Sequence, residues 1–145
     1  MELENTPGVR IRSWDDDRQR NGTASTIFSV GEPTKNSTYP CFLQFHYEPG
    51  WSLPAHAHAG WTSTVILEGS WSWDGVEYGP GEVLIAAPNV MYGPFESGPN
   101  GVTAIEFFQT QDAVPPVWDA DSPAVKTMLE RLGPSAASIY QQHIV

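Results

Sequence analysis

The chain reads as an all-β protein folded into a barrel or sandwich, and three observations predict that class. Its 13 Gly and 13 Pro are scattered along 145 residues as turn punctuation. The segments between them are short and rich in Val, Ile, Thr, Phe, Tyr and Trp, side chains that suit a pleated, half-buried surface. Asp74-Gly75 separates Ser70–Trp73 from Val76–Tyr78, a two-residue hairpin signal in which glycine accepts the positive φ of a type I′ turn. A chain of this length encloses one sizeable core, which gives a single domain over residues 1–145.

Taken in order, strands are expected at Val9–Ser13, Ser25–Val30, Cys41–Glu48, Thr62–Leu67, Ser70–Trp73, Val83–Ala87 and Val102–Gln109. Gly79-Pro80-Gly81 and Gly98-Pro99-Asn100-Gly101 are read as further turns. Gln111–Ser122, with Pro115-Pro116, reads as a connector over the barrel surface. Ser122-Pro123 then places an N-cap before a proline at the first helical position. Val125, Met128, Leu129 and Leu132 fall on one apolar stripe, and Gly133-Pro134 ends the helix, giving a span of about 123–132. That helix is expected to pack outside the barrel, with a dimer contact as the second reading. The tail Ser135–Val145 carries too little pattern to assign, and its His143 is taken as exposed and inert.

The charge balance narrows the partners. Formal net charge is −10 with 7 Lys plus Arg, which argues against nucleic acid or an anionic membrane, since both need clustered cations. No apolar run reaches membrane-spanning length. The N-terminal residues carry neither a basic region nor an apolar stretch, so no secretory signal is expected and the location is read as cytoplasmic. The single cysteine, Cys41, fits a reducing compartment and is read as a buried structural thiol. Asn21-Gly22-Thr23 and Asn36-Ser37-Thr38 match the glycosylation pattern but are read as turns.

The most informative stretch is Pro49-Gly50-Trp51-Ser52-Leu53-Pro54-Ala55-His56-Ala57-His58, followed by Leu67-Glu68-Gly69. Residues two apart on a strand point to the same side. His56 and His58 can therefore aim at one point, as a divalent metal requires of its first two nitrogen ligands.

With these residues in place, the stretch from about Phe42 to Gln109 resembles the small single-domain, RmlC-like proteins of the cupin superfamily. Their first motif sets a Gly, a His-x-His pair, a Glu and a second Gly at spacings kept here by Gly50, His56, His58 and Gly69, with Thr62 standing at the Glu position. A degenerate second motif runs from Pro80-Gly81-Glu82 to Tyr92-Gly93-Pro94, with Tyr92 where the family has its third His. Small cupins with a similar Tyr-Gly-Pro carry a later Gly-Pro-x-Gly, matched by Gly98-Pro99-Asn100-Gly101. The resemblance implies a cupin-type, jelly-roll-like β-barrel core over about 42–109 with one C-terminal α-helix, and a homodimer, as is common in the superfamily.

Strand alternation supplies candidates for the missing ligands. Gln44, His46 and Glu48 share one face of their strand, and Leu43, Phe45 and Tyr47 share the other. Val102, Ala104, Glu106 and Phe108 share a face of the last strand. A buried Glu106 would need a partner, a metal or a proton. It could complete a two-His-one-carboxylate iron site or serve as a general base, and the competing reading is an edge residue facing solvent. His46 could be a third ligand or an ordinary satisfied histidine, and Gln44 could contact substrate. Thr62 and Tyr92 would orient substrate, with the Tyr92 phenol able to donate a proton. Trp51 and Trp61, which bracket the His pair, are expected as pocket walls; Trp71 and Trp73 are assigned to core packing or an interface.

The expected function is a metal-dependent cupin enzyme acting on a small neutral or aromatic organic molecule, resembling the dioxygenases of ketones and diketones. His56, His58 and His46 would hold iron, or zinc or manganese. Two other classes stay open: an acid–base isomerase or polyketide-cyclase-like enzyme, and a non-catalytic small-molecule binding cupin.

Overall fold

A computed structural model describes residues 23–29, 38–119 and 121–132. The expected strand Val9–Ser13, Val30, both asparagines of the glycosylation-like triplets, the helix stop and His143 lie outside the described residues. The strands are β1 (Thr23–Ser29), β2 (Cys41–Tyr47), β3 (Ser52–Leu53), β4 (His56–Ala57), β5 (Thr62–Trp73), β6 (Val76–Tyr78), β7 (Val83–Ala86), β8 (Phe95–Phe108) and β9 (Val117–Trp118), followed by α1 (Pro123–Leu132). Seven of them form one antiparallel sheet in the order β1-β2-β8-β5-β6, with β3 added on β8 and β7 on β5. β4 and β9 pair separately.

The hairpin forms where the turn chemistry places it: Asp74 and Gly75 both take positive φ, 52° and 74°, as a type I′ turn demands. Two expectations change. Thr62–Leu67 and Ser70–Trp73 are one continuous strand, β5, with register shifts between Ile66 and Glu68 and between Gly69 and Trp71. Irregularities of this kind absorb the offset that the sequence showed as a break. Gly98–Gly101 is likewise part of β8 rather than a separate turn. β8 changes partners along its length: its N-terminal end pairs with β3 and its C-terminal end with β2, so it outruns both.

Gly69 is required by that packing. Its φ is +70°, and a Cβ there would collide with the carbonyl of Gly101 on the neighbouring strand. Only glycine permits so close an approach of two backbones.

On β8 the alternation resolves cleanly: Val102, Ala104, Glu106 and Phe108 are buried. With Phe45, Ile66, Trp71, Ala86, Tyr92 and Phe95, residues Val102 and Ala104 form the main core. Phe107 on the other face of β8, and Val83 and Ile85 of β7, are exposed. A second core joins Trp118 to Val125 and Met128 of α1, with Leu53 and Leu129 packed against it. The helix thus lies on the outside of the sheet, where its stripe predicts. Cys41 is buried, and burial raises its thiol pKa, which fits an inert thiol. No helix among the described residues is long and apolar enough to cross a membrane.

Candidate functional site

His56 is held from both sides by backbone. It pairs with Trp118 across β4 and β9 and exchanges both main-chain hydrogen bonds with Tyr92, each at 3.0 Å. Two segments distant in sequence therefore fix where its ring points. The His56 Nδ1 lies 2.9 Å from the Pro54 carbonyl, and the His58 Nδ1 lies 2.9 Å from the Ala113 carbonyl. A carbonyl only accepts, so each Nδ1 carries the hydrogen and each neutral ring keeps its lone pair on Nε2. Burial favours the neutral form of both rings. It lowers the His56 pKa to about 4, against the opposing pull of the Pro54 carbonyl and with help from His58, and it also lowers that of His58. The two rings stand 5.1 Å apart and nearly perpendicular.

Glu106 faces inward, which strand parity alone left open. It pairs with Thr64 on β5 and accepts a hydrogen bond from the Tyr92 hydroxyl at 3.1 Å. Its carboxyl lies 3.9 Å from His58 Nε2. Burial lifts its pKa to about 7, and hydrogen bonds from Tyr92, Thr64 and Thr62 hold it from rising further. With His58 neutral, this close pair is not an ion pair at neutral pH. Burial, and then the Glu106 charge, push the Tyr92 phenol well above its usual range.

These groups open into a cavity of about 360 Å³. Leu43, Phe45 and Tyr47 of β2, Ile66 and Trp71 of β5, Phe95 and Phe108 of β8, and Pro115, Pro116 and Trp118 supply most of its wall. Among the described residues, the acidic side chains lining it are Glu106 and Glu82, and no Lys or Arg lines it.

The structure brings together His56, His58, Thr62, Tyr92 and Glu106. Four expected residues stand elsewhere. Gln44 and His46 are on the opposite face of β2 from Leu43, Phe45 and Tyr47, because the apolar set takes the inside. His46 is paired there with the Thr103 hydroxyl at 2.9 Å. Trp61 is 52% exposed; it directly precedes the inward Thr62, and adjacent strand residues point to opposite sides. Trp51 is buried behind the wall, stacked on Tyr47 at 5.6 Å and covered by the Arg131 guanidinium.

The segment read as a surface connector is instead part of the site. It contains β9, contributes Trp118 and both prolines to the cavity, and supplies the Ala113 carbonyl that orients His58. Its signal was a Val-Trp pair amid turn residues, too short for periodicity to register. Trp71, assigned to packing, also lines the cavity, while Trp73 packs on Phe95 at 5.5 Å.

Among the described residues no three or more His, Cys, Asp or Glu are gathered as a ligand cluster. The donors nearest to one are His56 and His58, with the Glu106 carboxyl 3.9 Å from His58 Nε2. As donor types they suit a divalent ion: each imidazole has its Nδ1 tied to a carbonyl, an outer contact of the kind metal-binding histidines use.

No protein-family profile and no curated protein matches the chain. Among solved structures, an RmlC-like cupin protein from Ralstonia eutropha JMP134 superposes with a TM-score of 0.54 at 13% identity, over 86% of this chain and 85% of that one. An acetylacetone dioxygenase from Acinetobacter johnsonii superposes with a TM-score of 0.53 at 13% identity, over 83% of this chain and 84% of that one. At such identities the likeness concerns architecture alone.

Proposed function

Starting from a cupin-type β-barrel fold, we propose that the chain is a metal-dependent enzyme acting on a small, neutral organic substrate, with oxidative cleavage of a ketone or diketone as its reaction. One observation carries this reading. Two neutral imidazoles are oriented by backbone carbonyls so that their Nε2 lone pairs stay available, beside a buried carboxyl within an apolar cavity. That arrangement suits holding a divalent ion better than it suits proton transfer by histidine, since His56 stays neutral down to about pH 4. The substrate class is chosen by analogy with the resemblance to ketone and diketone dioxygenases; the structural neighbours support the architecture that would host it.

His56 and His58 would hold the ion, with Glu106 as the third donor; iron is favoured, zinc or manganese possible. The bound ion would supply Lewis acidity toward a carbonyl and a site for dioxygen chemistry. The protein's own groups do the remainder. The Tyr92 hydroxyl, already donating to Glu106, holds that carboxyl in place. Thr62 bonds to both. The apolar, aromatic wall lowers the local dielectric in which each polar contact acts.

A second reading has its own observation. Glu106 sits with a pKa of about 7 and a phenol at 3.1 Å, which is what an acid–base isomerase or cyclase would use. Metal analysis with oxygen uptake separates the two. Tightly held iron with diketone-dependent oxygen consumption, both lost in His56→Ala and His58→Ala, supports the first. Turnover without oxygen uptake, undiminished by chelator, supports the second. Binding of a ligand without turnover in either form leaves a binding protein.

A further inference from the structure

Both imidazoles are set by one stretch of chain. Strand β9 pairs with β4, so that Trp118 stands opposite His56. Just ahead of it, the Ala113 carbonyl lies 2.9 Å from His58 Nδ1, and the Val114 main chain acts on the same ring. The turn that carries Ala113 is itself anchored. The Gln111 amide donates to the Tyr39 carbonyl at 3.0 Å, that of Ala113 to the Thr110 carbonyl at 3.1 Å and that of Val114 to the Gln111 carbonyl at 3.2 Å.

A neutral imidazole carries one N–H, and His58 has an acceptor near each of its nitrogens. The Ala113 carbonyl faces Nδ1, and the Glu106 carboxyl stands on the Nε2 side. An ionised carboxylate is the stronger kind of acceptor. At equal reach it would draw the hydrogen to Nε2 and leave the lone pair on Nδ1. The carbonyl prevails because 2.9 Å is a hydrogen-bonding distance and 3.9 Å is not. Proximity thus decides the tautomer, and the tautomer decides whether Nε2 can accept a metal ion.

That proximity depends on Gly60, which lies between β4 and β5 and does not line the cavity. A Cβ placed on Gly60 would lie 3.0 Å from the Ala113 Cβ and 3.7 Å from the Gln109 Cβ. Ala113 is buried and anchored through its turn, so it has little room to withdraw. Gly60 is not among the glycines with positive φ. Its backbone is one that alanine adopts, and what the position requires is the absence of bulk. We propose that Gly60 is a positioning residue for His58. By leaving room for Ala113 it keeps the Ala113 carbonyl on Nδ1, and so holds His58 in the tautomer whose Nε2 lone pair can bind a metal ion. The use of that lone pair rests on the proposed function; the tautomer does not.

The test is ¹⁵N NMR of the imidazole rings in the metal-free full chain at pH 8, paired with zinc affinity by chelator competition. In the native protein His58 is expected to carry its hydrogen on Nδ1. Gly60→Ala is expected to move a measurable share of that hydrogen to Nε2, facing Glu106, and to weaken zinc binding by about tenfold or more. Adding Ala113→Gly to that variant removes the Cβ it strikes and is expected to restore both readings. Thermal melts of the three proteins separate loss of geometry from loss of fold. Should Gly60→Ala alone not fold, the native tautomer and the double variant, in which the contact is relieved, carry the test. An Nε2–H tautomer in the native protein, an unchanged tautomer in Gly60→Ala, or a changed one that Ala113→Gly fails to restore in a folded chain would overturn the inference. The expected tautomers without zinc binding in any of the three would remove the metal reading and leave Gly60 in its role. Equal zinc affinity in all three with an unmoved tautomer would do the reverse.

Discussion

Replacing Glu106 by glutamine should stabilise the metal-free protein, and only above a defined pH. Glu106 has a folded-state pKa of about 7 against 4.5 for an unperturbed glutamate, chiefly from burial. A carboxyl raised in this way contributes its full stability below pH 4.5, where both states are protonated. That contribution is lost as pH rises through 7, because the unfolded chain ionises freely and the folded one resists. The difference of about 2.5 pH units corresponds to about 3 kcal/mol at most. The amide introduced by Glu106→Gln would be neutral at every pH and would still accept from Tyr92. The variant should therefore match the native chain near pH 4.5 and exceed it at pH 8 by up to about 3 kcal/mol, roughly 6–12 °C in Tm for a chain of this size. His56 and His58 act in the opposite sense. Their lowered pKa values leave their stability intact above pH 6.5, and it is lost as pH falls toward 4. The native chain should show the two slopes opposing one another between pH 4.5 and 6.5, whereas the variant should lose stability steadily on acidification. Urea melts in chelator at pH 4.5, 6.5 and 8 measure this directly. A displacement of the same size and sign at all three pH values would refute the assignment of Glu106 as a buried, proton-holding carboxyl.

Adding iron at a hundredfold excess over its Kd should stabilise the native chain by about 2.7 kcal/mol; a Tm unmoved by iron, zinc or manganese would count against the metal reading. Thr62→Val removes a hydroxyl that lowers the Glu106 pKa, so the Glu106 carboxyl resonance in a ¹³C titration should shift to a higher midpoint; an unchanged midpoint would take Thr62 out of the site. Gly69→Ala forces a side chain into the Gly101 carbonyl at positive φ and should cost more than about 3 kcal/mol, read as a collapse of the denaturation midpoint. Phe45→Ala opens a hole in the core at a buried position, with an expected loss of about 3–5 kcal/mol; a much smaller loss would mean that the cavity wall repacks around it.

Much of the architecture was legible because its signals are local. The Asp74-Gly75 hairpin, the stripe of Val125, Met128 and Leu129, and the strand over Cys41–Tyr47 depend on turn chemistry and periodicity within a few residues. The first motif singled out Gly69 by its spacing, and the structure explains that glycine by the approach of Gly101. Where reading failed, the deciding contact was distant. β5 looked like two strands because its register shifts are settled by β8. The Pro115-Pro116 segment looked like a surface connector because its partner, His56, lies some sixty residues upstream.

Alone, the sequence determined an all-β chain with one helix, two histidines able to act together, and a strongly negative net charge. Tertiary structure decided which side of each strand faces the cavity. It turned Glu106 and Tyr92 inward to meet at 3.1 Å, turned Gln44, His46 and Trp61 away, and brought Trp118 against His56. A strand offers two faces of equal geometry. Only the burial gained when all the strands close on one another chooses between them.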